Sequence, residues 1–579
     1  MVKGIGASAG IAMGKAFVIP SWEWEFPEKI IDVSDLAYEF ERLYAGIRNS
    51  KHEIEHIKQE VSDVIGKEES SIFDAHLAIL DDPIFMNEIQ VIMQKQYKAA
   101  EVAVKEVIDK FVNMLDLMDD SYMKERALDI RDVGNRLLKN LLNDFEETLP
   151  PQDHPYILVA KELSPSQLAQ LDVSNILGIV TMLGGATSHA AIMARALGVP
   201  LVVGIEGKLA QPIQTGDYLI IDGENGDVFV NPEPPVIERY ARRQKHWIRT
   251  REKLEAIAGL KAATKDGREL RLETNIGSAK ELDRAIKYGT AGVGLFRTEY
   301  LYMNRKTLPG EDEQFEEYRL VAEKLRGKPV IIRTLDIGAD KQLDYFSLPE
   351  EDNPFLGYRA IRISLDRRDL FRTQLKAILR ASRYGNVKIM YPMISSLDEV
   401  RMANEVLEEA KRELVARGEA FDSAIPVGVM IEVPAAVAIA DLLAQEVDFF
   451  SIGTNDLIQY VLAVDRMNEN ISHYYDPFHP AIIRYLKIAV DAAKASGIPV
   501  GVCGELAGDV KALPIWLGLG VDELSMSVQS LLPVKERLLS MSAAEAKAVV
   551  GEALKCKTGR EIAQLLDECY ERRDGKCGA

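Results

Sequence analysis

The chain has 579 residues, 47% of them hydrophobic, and its 90 Asp and Glu outnumber 70 Lys and Arg to give a formal net charge of −20. That length suits two or three domains of roughly 100–200 residues each, and the acidic balance disfavours a nucleic-acid partner. No run reaches the ~20 apolar residues of a membrane span, and the start Met1-Val2-Lys3-Gly4-Ile5-Gly6 has no apolar signal segment, so a cytoplasmic protein without membrane insertion is expected.

Residues 1–20 alternate glycine with small apolar residues and end on the strand-like Lys15-Ala16-Phe17-Val18-Ile19. Gly10-Ile11-Ala12-Met13-Gly14-Lys15 has the outline of a phosphate loop. It is one residue short, however, and Ala16 stands where Ser or Thr would bind magnesium, so a turn between strands is expected instead.

From Ser34, an N-cap residue type, the pattern turns helical. Leu36, Leu43 and Ile57 form one seven-residue series, and Phe40, Ile47, Ile54 and Val61 the other. Related periodicity runs through Ile84–Met114 and Tyr122–Phe145, so residues 33–145 read as a helical bundle inserted into a separate domain. Between Glu60 and Glu88 lie eight acidic residues (Glu60, Asp63, Glu68, Glu69, Asp74, Asp81, Asp82, Glu88) against one lysine, Lys67, with Phe73 and His76 among them. This is either a solvated helix face or a docking surface for a small basic-faced protein.

Strand patterns resume at Tyr156–Ala160 and recur at Ile176–Met182, Leu201–Val203, Tyr218–Ile221 and Val228–Val230. Residues 1–32 and 146–231 are thus expected to share one α/β domain. Within it, Gly184-Gly185-Ala186-Thr187-Ser188-His189 followed by an alanine-rich run to Gly198 and Pro200 reads as strand, tight turn and helix. Thr187 or Ser188 is a natural N-cap. His189 falls in the first turn, where free N–H groups and the helix dipole favour an anion. It is either a helix-capping histidine or a phosphoryl acceptor, and the small residues around it clear room for the second role. Next, Asn231-Pro232-Glu233-Pro234-Pro235 and a charged helix from Val236 to about Leu260 read as a linker over 232–262, which leaves the histidine domain able to swivel.

Beyond residue 262, short apolar runs alternate with amphipathic helices: Leu270–Ile276, Gly292–Phe296, Pro329–Leu335, Tyr358–Ile363, Lys388–Met393, Val427–Val433, Phe449–Ile452 and Pro499–Cys503. Eight strands suit a (β/α)₈ barrel over 263–579, with its chemistry at the strand C-terminal ends. Those ends carry Arg297 and Glu299; Arg333, Asp336 and Lys341; Arg359 and Arg362; Glu432; Asn455, Asp456 and Arg466; and Cys503 and Glu505. Arginine forks bind phosphate and carboxylate bidentately, and Glu432 with Asp456 could hold Mg²⁺. The set suits a small phospho-carboxylate, the alternative being salt bridges that brace the rim. Cys503, between Gly501 and Gly504, is either a small buried hydrophobe or a group that moves a proton at a substrate carbon. The other cysteines, Cys556, Cys569 and Cys577, lack CxxC spacing, so neither zinc nor a disulfide framework is indicated.

Taken together, these stretches resemble the enzyme I family of the bacterial phosphoenolpyruvate:sugar phosphotransferase system over essentially the whole chain. The resemblance rests on Gly184–Arg195, Gly294–Glu299, Arg333–Gly338, Asn353–Arg362, Ser451–Leu457 and Gly501–Glu505. It implies a multidomain α/β protein: a phosphohistidine domain with an inserted helical bundle, a linker helix, and a C-terminal barrel that homodimerises. By the same resemblance His189 accepts the phosphoryl group on Nε2, and Arg297, Arg333, Asn455, Asp456 and Arg466 bind phosphoenolpyruvate with Lys341 and Arg359 nearby. Glu432 and Asp456 would hold Mg²⁺, and Cys503 would protonate the enolate. The bundle would dock the histidine-containing phosphocarrier protein, with Glu68, Glu69, Phe73, His76, Asp81 and Asp82 as the expected contacts. Dikinases and synthases that share the histidine and barrel modules carry an ATP-binding domain ahead of them; with about 20 residues before the bundle, such an enzyme is the less expected alternative.

Overall fold

A computed structural model describes residues 1–19, 29–64, 72–117, 121–142, 154–163, 167, 175–185, 188–209, 211–303, 305, 307–338, 345–346, 348–349, 351–468 and 470–571. They divide into two compact units, Met1–Arg251 and Glu252–Ala579.

The first unit carries a sheet with eight strands among the described residues. They are β1 (Val2–Lys3), β2 (Ile5–Ser8), β3 (Ile11–Val18), β4 (Tyr156–Ala160), β5 (Ile176–Thr181), β6 (Leu201–Val203), β7 (Tyr218–Asp222) and β8 (Asp227–Val230), in the order β1-β8-β7-β3-β4-β5-β6-β2. Strands β3 to β6 are parallel, and the flanking strands pair antiparallel. The parallel centre is buried on both faces, which calls for unbroken apolar runs; every residue of β4 is buried. The turn expected over Gly10–Lys15 is confined to Ala9 and Gly10, because β3 already begins at Ile11. Gly10 has a φ of 133°, open to glycine and resisted by side chains.

Strands β3 and β4 are neighbours, Ala16 opposite Ile157. The chain between them forms α1 (Leu36–Val64), α2 (Ile72–Asp81), α3 (Pro83–Gln96), α4 (Ala100–Asp116) and α5 (Ser121–Leu142). On α1 the residues Leu43, Ile47, Ile54 and Ile57 are buried, the stripe their spacing predicts. Ser34 does not cap α1, since it lies inside a 3-10 turn, Val33–Asp35, that leads into it.

Helix α6 (His189–Leu197) follows β5, and α7 (Pro234–Ala256) spans the boundary between the units, ending short of Leu260. The first turns of α7 are fixed to the sheet of the first unit. Tyr240 packs on Phe229 with ring centroids 5.0 Å apart, and Gln244 Nε2 donates to the Ile11 carbonyl at 2.8 Å.

In the second unit, eight parallel strands close a barrel: β9 (Arg271–Ile276), β10 (Val293–Arg297), β11 (Pro329–Arg333), β12 (Asn386–Tyr391), β13 (Val427–Ile431), β14 (Phe449–Ile452), β15 (Val500–Val502) and β16 (Glu523–Met526), with β16 pairing back onto β9. Two expectations are corrected here. Tyr358–Ile363 is not a strand: Ala360 has a φ of 51°, and a helix, Ile361–Asp366, starts immediately after it. The last strand is instead Glu523–Met526, whose buried Glu523 receives Arg271 Nη2 at 2.6 Å and so breaks the apolar run expected of a barrel strand. By the alternation of strand side chains, Leu295, Ile331, Met390, Met430, Phe449 and Cys503 form an apolar layer inside the barrel. No helix among the described residues is long and apolar enough to cross a membrane.

Candidate active site

The histidine segment is built as a capped helix. Ser188 is the N-cap of α6, its hydroxyl accepting the Ala191 N–H at 3.4 Å, and His189 is the first helical residue. Gly184 enters the turn with a φ of 103°, and Gly198 closes the helix in the left-handed region at 71°. Arg195 Nη1 donates to the Ala7 carbonyl at 3.0 Å, which ties the helix to β2. His189 therefore stands at the positive end of the helix dipole, beside N–H groups that have no intrahelical partner. Its imidazole, with Ala186 and Thr187, lies outside what the structure describes.

The bundle departs from expectation. Phe73 and His76 are fully buried, with the rings 5.5 Å apart edge to face, and His76 Nε2 lies 3.4 Å from Asp129 Oδ1. As the helix packs, both side chains face the bundle core and offer no surface to a partner. Asp74, Asp81 and Asp82 are exposed; Asp74 pairs with Lys58, Asp81 pairs with Lys51, and Asp82 caps α3. Glu68 and Glu69 lie outside the described residues.

At the C-terminal mouth of the barrel several of the expected residues converge. Arg333, the last residue of β11, places Nη2 2.6 Å from Glu299 Oε1 and Nη1 2.9 Å from Asp336 Oδ2. Arg359 reaches the other oxygen of Asp336 at 3.1 Å and Asp456 Oδ2 at 3.6 Å. Burial alone would lower the pKa of each arginine; Asp336, with Glu299 for Arg333 and Asp456 for Arg359, outweighs it and holds both further above the ordinary value. Arg297 ends β10. Arg466 Nη2 stands 3.9 Å from Asp456 Oδ1. Asn455 exchanges two hydrogen bonds with Glu505, at 3.3 and 3.0 Å. Lys341 lies outside the described residues. Arg359 and Arg362 do not ride on a strand but follow β11; Arg359 still enters the site, whereas Arg362 donates to the carbonyls of Leu356 and Gly357.

Glu432 and Asp456 are the carboxylates suited to a divalent cation. Glu432, just past β13, is buried and accepts the Met393 N–H at 2.6 Å. Burial first, then the neighbouring Asp456 and Asp336, push its carboxyl up to about 8. Asp456 is 7% exposed, and its Oδ1 is buried with no hydrogen-bond partner. A carboxylate held this far from ionising and a second with an unsatisfied oxygen fit a site that takes a cation.

Cys503 follows β15 directly and is buried, its thiol pushed up to about 11 by desolvation despite a hydrogen bond with Ser451 and the nearby Arg333 and Arg297. The thiol therefore keeps its proton at neutral pH. Tyr460 was not singled out from the sequence: its hydroxyl accepts from Arg359 Nη1 at 3.1 Å and donates to the Phe355 carbonyl. It stands four residues after Asp456 on one helix, Thr454–Leu462, a spacing that puts both on the same face.

The chain matches known proteins over most of its length. Residues 3–126, 152–226 and 251–543 match, in turn, the N-terminal, mobile and PEP-binding domains of PEP-utilising enzymes. The phosphoenolpyruvate-protein phosphotransferase of Geobacillus stearothermophilus is 44% identical over 569 residues, 98% of this chain and 98% of its own. That of Bacillus subtilis (strain 168) is 44% identical over 570 residues, 98% of this chain and 100% of its own. That of Staphylococcus carnosus (strain TM300) is 41% identical over 567 residues, again 98% of each chain.

Proposed function

The chain belongs to the phosphoenolpyruvate-protein phosphotransferases, enzymes of phosphoenolpyruvate-dependent phosphoryl transfer, and from that premise we propose how its residues divide the work. Phosphoenolpyruvate binds at the barrel mouth, its phosphate and carboxylate met by Arg297, Arg333 and Arg466, with Arg359, Lys341, Asn455 and Asp456 around them. The observation that carries this reading is the Asp336-bridged pair of buried arginines set beside Glu432 and Asp456. Those two carboxylates would hold Mg²⁺, which when bound neutralises phosphate and enolate charge.

His189 Nε2 attacks phosphorus opposite the bridging oxygen. The N–P bond forms as the O–P bond breaks, and the electron pair stays on oxygen as the enolate of pyruvate. The arginines lower the cost of the charge developing there. Cys503 donates its S–H proton to C3, giving pyruvate, and the thiolate regains a proton from water. The high thiol pKa supports this role, because a donor must reach the reaction protonated.

The phosphoryl group then passes from His189 to the histidine-containing phosphocarrier protein, docked on the acidic face of the bundle, as the first step of phosphotransferase-system sugar uptake. The exposed Asp74, Asp81 and Asp82 support such a face, and the charged helix α7 supports a swivel between the two encounters. The protein works in the cytoplasm as a homodimer joined through its barrel.

Incubation with Mg²⁺ and phosphorus-labelled phosphoenolpyruvate tests the reading. Alkali-stable, acid-labile label that is absent in His189→Ala is expected. No label, or label from ATP alone, overturns it.

A further inference from the structure

Cys503 is held by a polar link that the reaction chemistry alone does not require. Its N–H donates to the Ile452 carbonyl of β14 at 3.1 Å, an ordinary continuation of the sheet. On the other side the β15–β16 register pairs Gly501 with Glu523 and Val502 with Leu524. One residue further on, the Cys503 carbonyl is met by a side chain from two strands away: Asn275 of β9 donates through Nδ2 at 2.9 Å. The amide is oriented in turn by Ser525 of β16, whose hydroxyl donates to Asn275 Oδ1 at 2.6 Å. A carbonyl can only accept, so the nitrogen of Asn275 must face Cys503 and its oxygen must face Ser525.

We propose that Asn275, oriented by Ser525, is a positioning residue that fixes the Cys503 peptide and thereby the face of the enolate that receives the proton. This rests on the reading of Cys503 as proton donor. An enolate carbon offers no hydrogen bond to pull a thiol into line, so the site of protonation depends on where sulfur is held. A cysteine side chain has one torsion between backbone and sulfur, so sulfur follows the peptide closely. The peptide is pinned at its N–H by Ile452 and at its carbonyl by Asn275. Gly504 then presses so close to Thr454 that a Cβ would come 2.0 Å from Thr454 Oγ1. Of the two hydrogen bonds, the one from Asn275 is made by a side chain and can be removed without touching the backbone.

The test uses the full chain in single turnover, with Mg²⁺ and phosphoenolpyruvate carrying one tritium at a defined position on C3, in deuterium oxide. Protonation on one face yields pyruvate with a methyl group of single chirality, whereas enolpyruvate released into solvent is protonated on either face. Asn275→Asp keeps the shape but opposes a carboxylate oxygen to the Cys503 carbonyl. The expected result is loss of facial selectivity in Asn275→Asp, with label from phosphoenolpyruvate still accepted, and a smaller loss in Ser525→Ala. Wild-type selectivity in Asn275→Asp together with its loss in Cys503→Ala overturns the proposal and leaves the donor reading standing. Selectivity kept in Cys503→Ala overturns the donor reading and the proposal with it. If Asn275→Asp takes no label, Ser525→Ala decides: wild-type selectivity there overturns the proposal.

Discussion

Met393 donates its backbone N–H to Glu432 Oε1 at 2.6 Å, and it does so from the left-handed region, with a φ of 55°. A residue with a β-carbon rarely adopts that conformation, and its cost is of the order of 1–3 kcal/mol. The strain aims a main-chain donor at a buried carboxylate, so Glu432 is oriented by backbone that side-chain substitution does not remove.

Burial makes Glu432 sensitive to pH, and on the proposed function it answers to a cation as well. Its carboxyl titrates near 4.5 when solvated and is pushed up to about 8 by burial, Asp456 and Asp336. Between those values the folded state keeps a proton that the unfolded chain has lost. Stability therefore falls as pH rises through the window, and the penalty is complete above it. Thermal unfolding in the presence of a chelator should show this alkaline loss in wild type and a smaller one in Glu432→Gln. Added Mg²⁺ should raise the wild-type Tm with release of a proton and leave Glu432→Gln little changed. Equal pH profiles for the two proteins would refute the assignment.

Asp336 neutralises two buried arginines at once, through one oxygen each. Asp336→Asn leaves both guanidinium groups short of a counter-charge, at a cost of about 3 kcal/mol by the usual penalty for breaking a buried pair. Urea unfolding should report that loss, and the KM for phosphoenolpyruvate should rise in the same variant. A variant as stable as wild type would mean the arginines are satisfied elsewhere.

Gly504 has an ordinary φ of −73°, so its need for glycine is spatial. A Cβ there would sit 2.0 Å from Thr454 Oγ1, with the Thr454 backbone nitrogen 2.7 Å away. Gly504→Ala must displace either Thr454 or the Cys503 segment, at about 1–3 kcal/mol. Pyruvate release is expected to slow more than labelling of the protein does. Equal slowing of both steps would mean that Thr454, not Cys503, gives way.

Charge reversal on the bundle separates the two halves of the reaction. Asp74→Lys with Asp81→Lys, or Glu68→Lys with Glu69→Lys, should weaken transfer to the phosphocarrier on the order of tenfold, mostly through slower association. Labelling by phosphoenolpyruvate should persist. Raising the ionic strength should mimic the substitutions in wild type, since exposed charges are screened. Carrier transfer at the wild-type rate in both variants would remove the acidic face from the docking surface.

How much of this was legible beforehand varies with the kind of signal. The capped helix at Ser188 and His189 and the rim residues Arg333, Glu432, Asp456 and Cys503 stood out because short motifs set unusual side chains at strand or helix ends. Seven of the barrel strands were apolar runs. The segment Tyr358–Ile363 is a short apolar run broken by two arginines, yet Ala360 has a φ of 51° and a helix starts directly behind it. Glu523–Met526 was invisible for the opposite reason, since its glutamate is buried against Arg271, from a strand far away in sequence. Phe73 and His76 looked like a decorated surface because charge counts carry no direction. Which way a helix faces is decided by partners such as Asp129 on α5. The link from Ser525 through Asn275 to Cys503 joins three strands and leaves no local trace.

The adjacency of β3 and β4 also sets an order of assembly. The chain leaves the sheet at Val18 and re-enters it at Tyr156, so on the ribosome the whole bundle emerges before the first parallel partner of β3 exists. Helices joined by short connections make contacts between near neighbours and fold fast, whereas pairing across a long excursion is slow. Nascent β3 must keep an open strand edge until the bundle has formed behind it, and the helix bearing His189 is placed only after β4 and β5 have docked. A substitution that slows the bundle is therefore expected to delay the appearance of a phosphorylatable histidine without altering any residue near it.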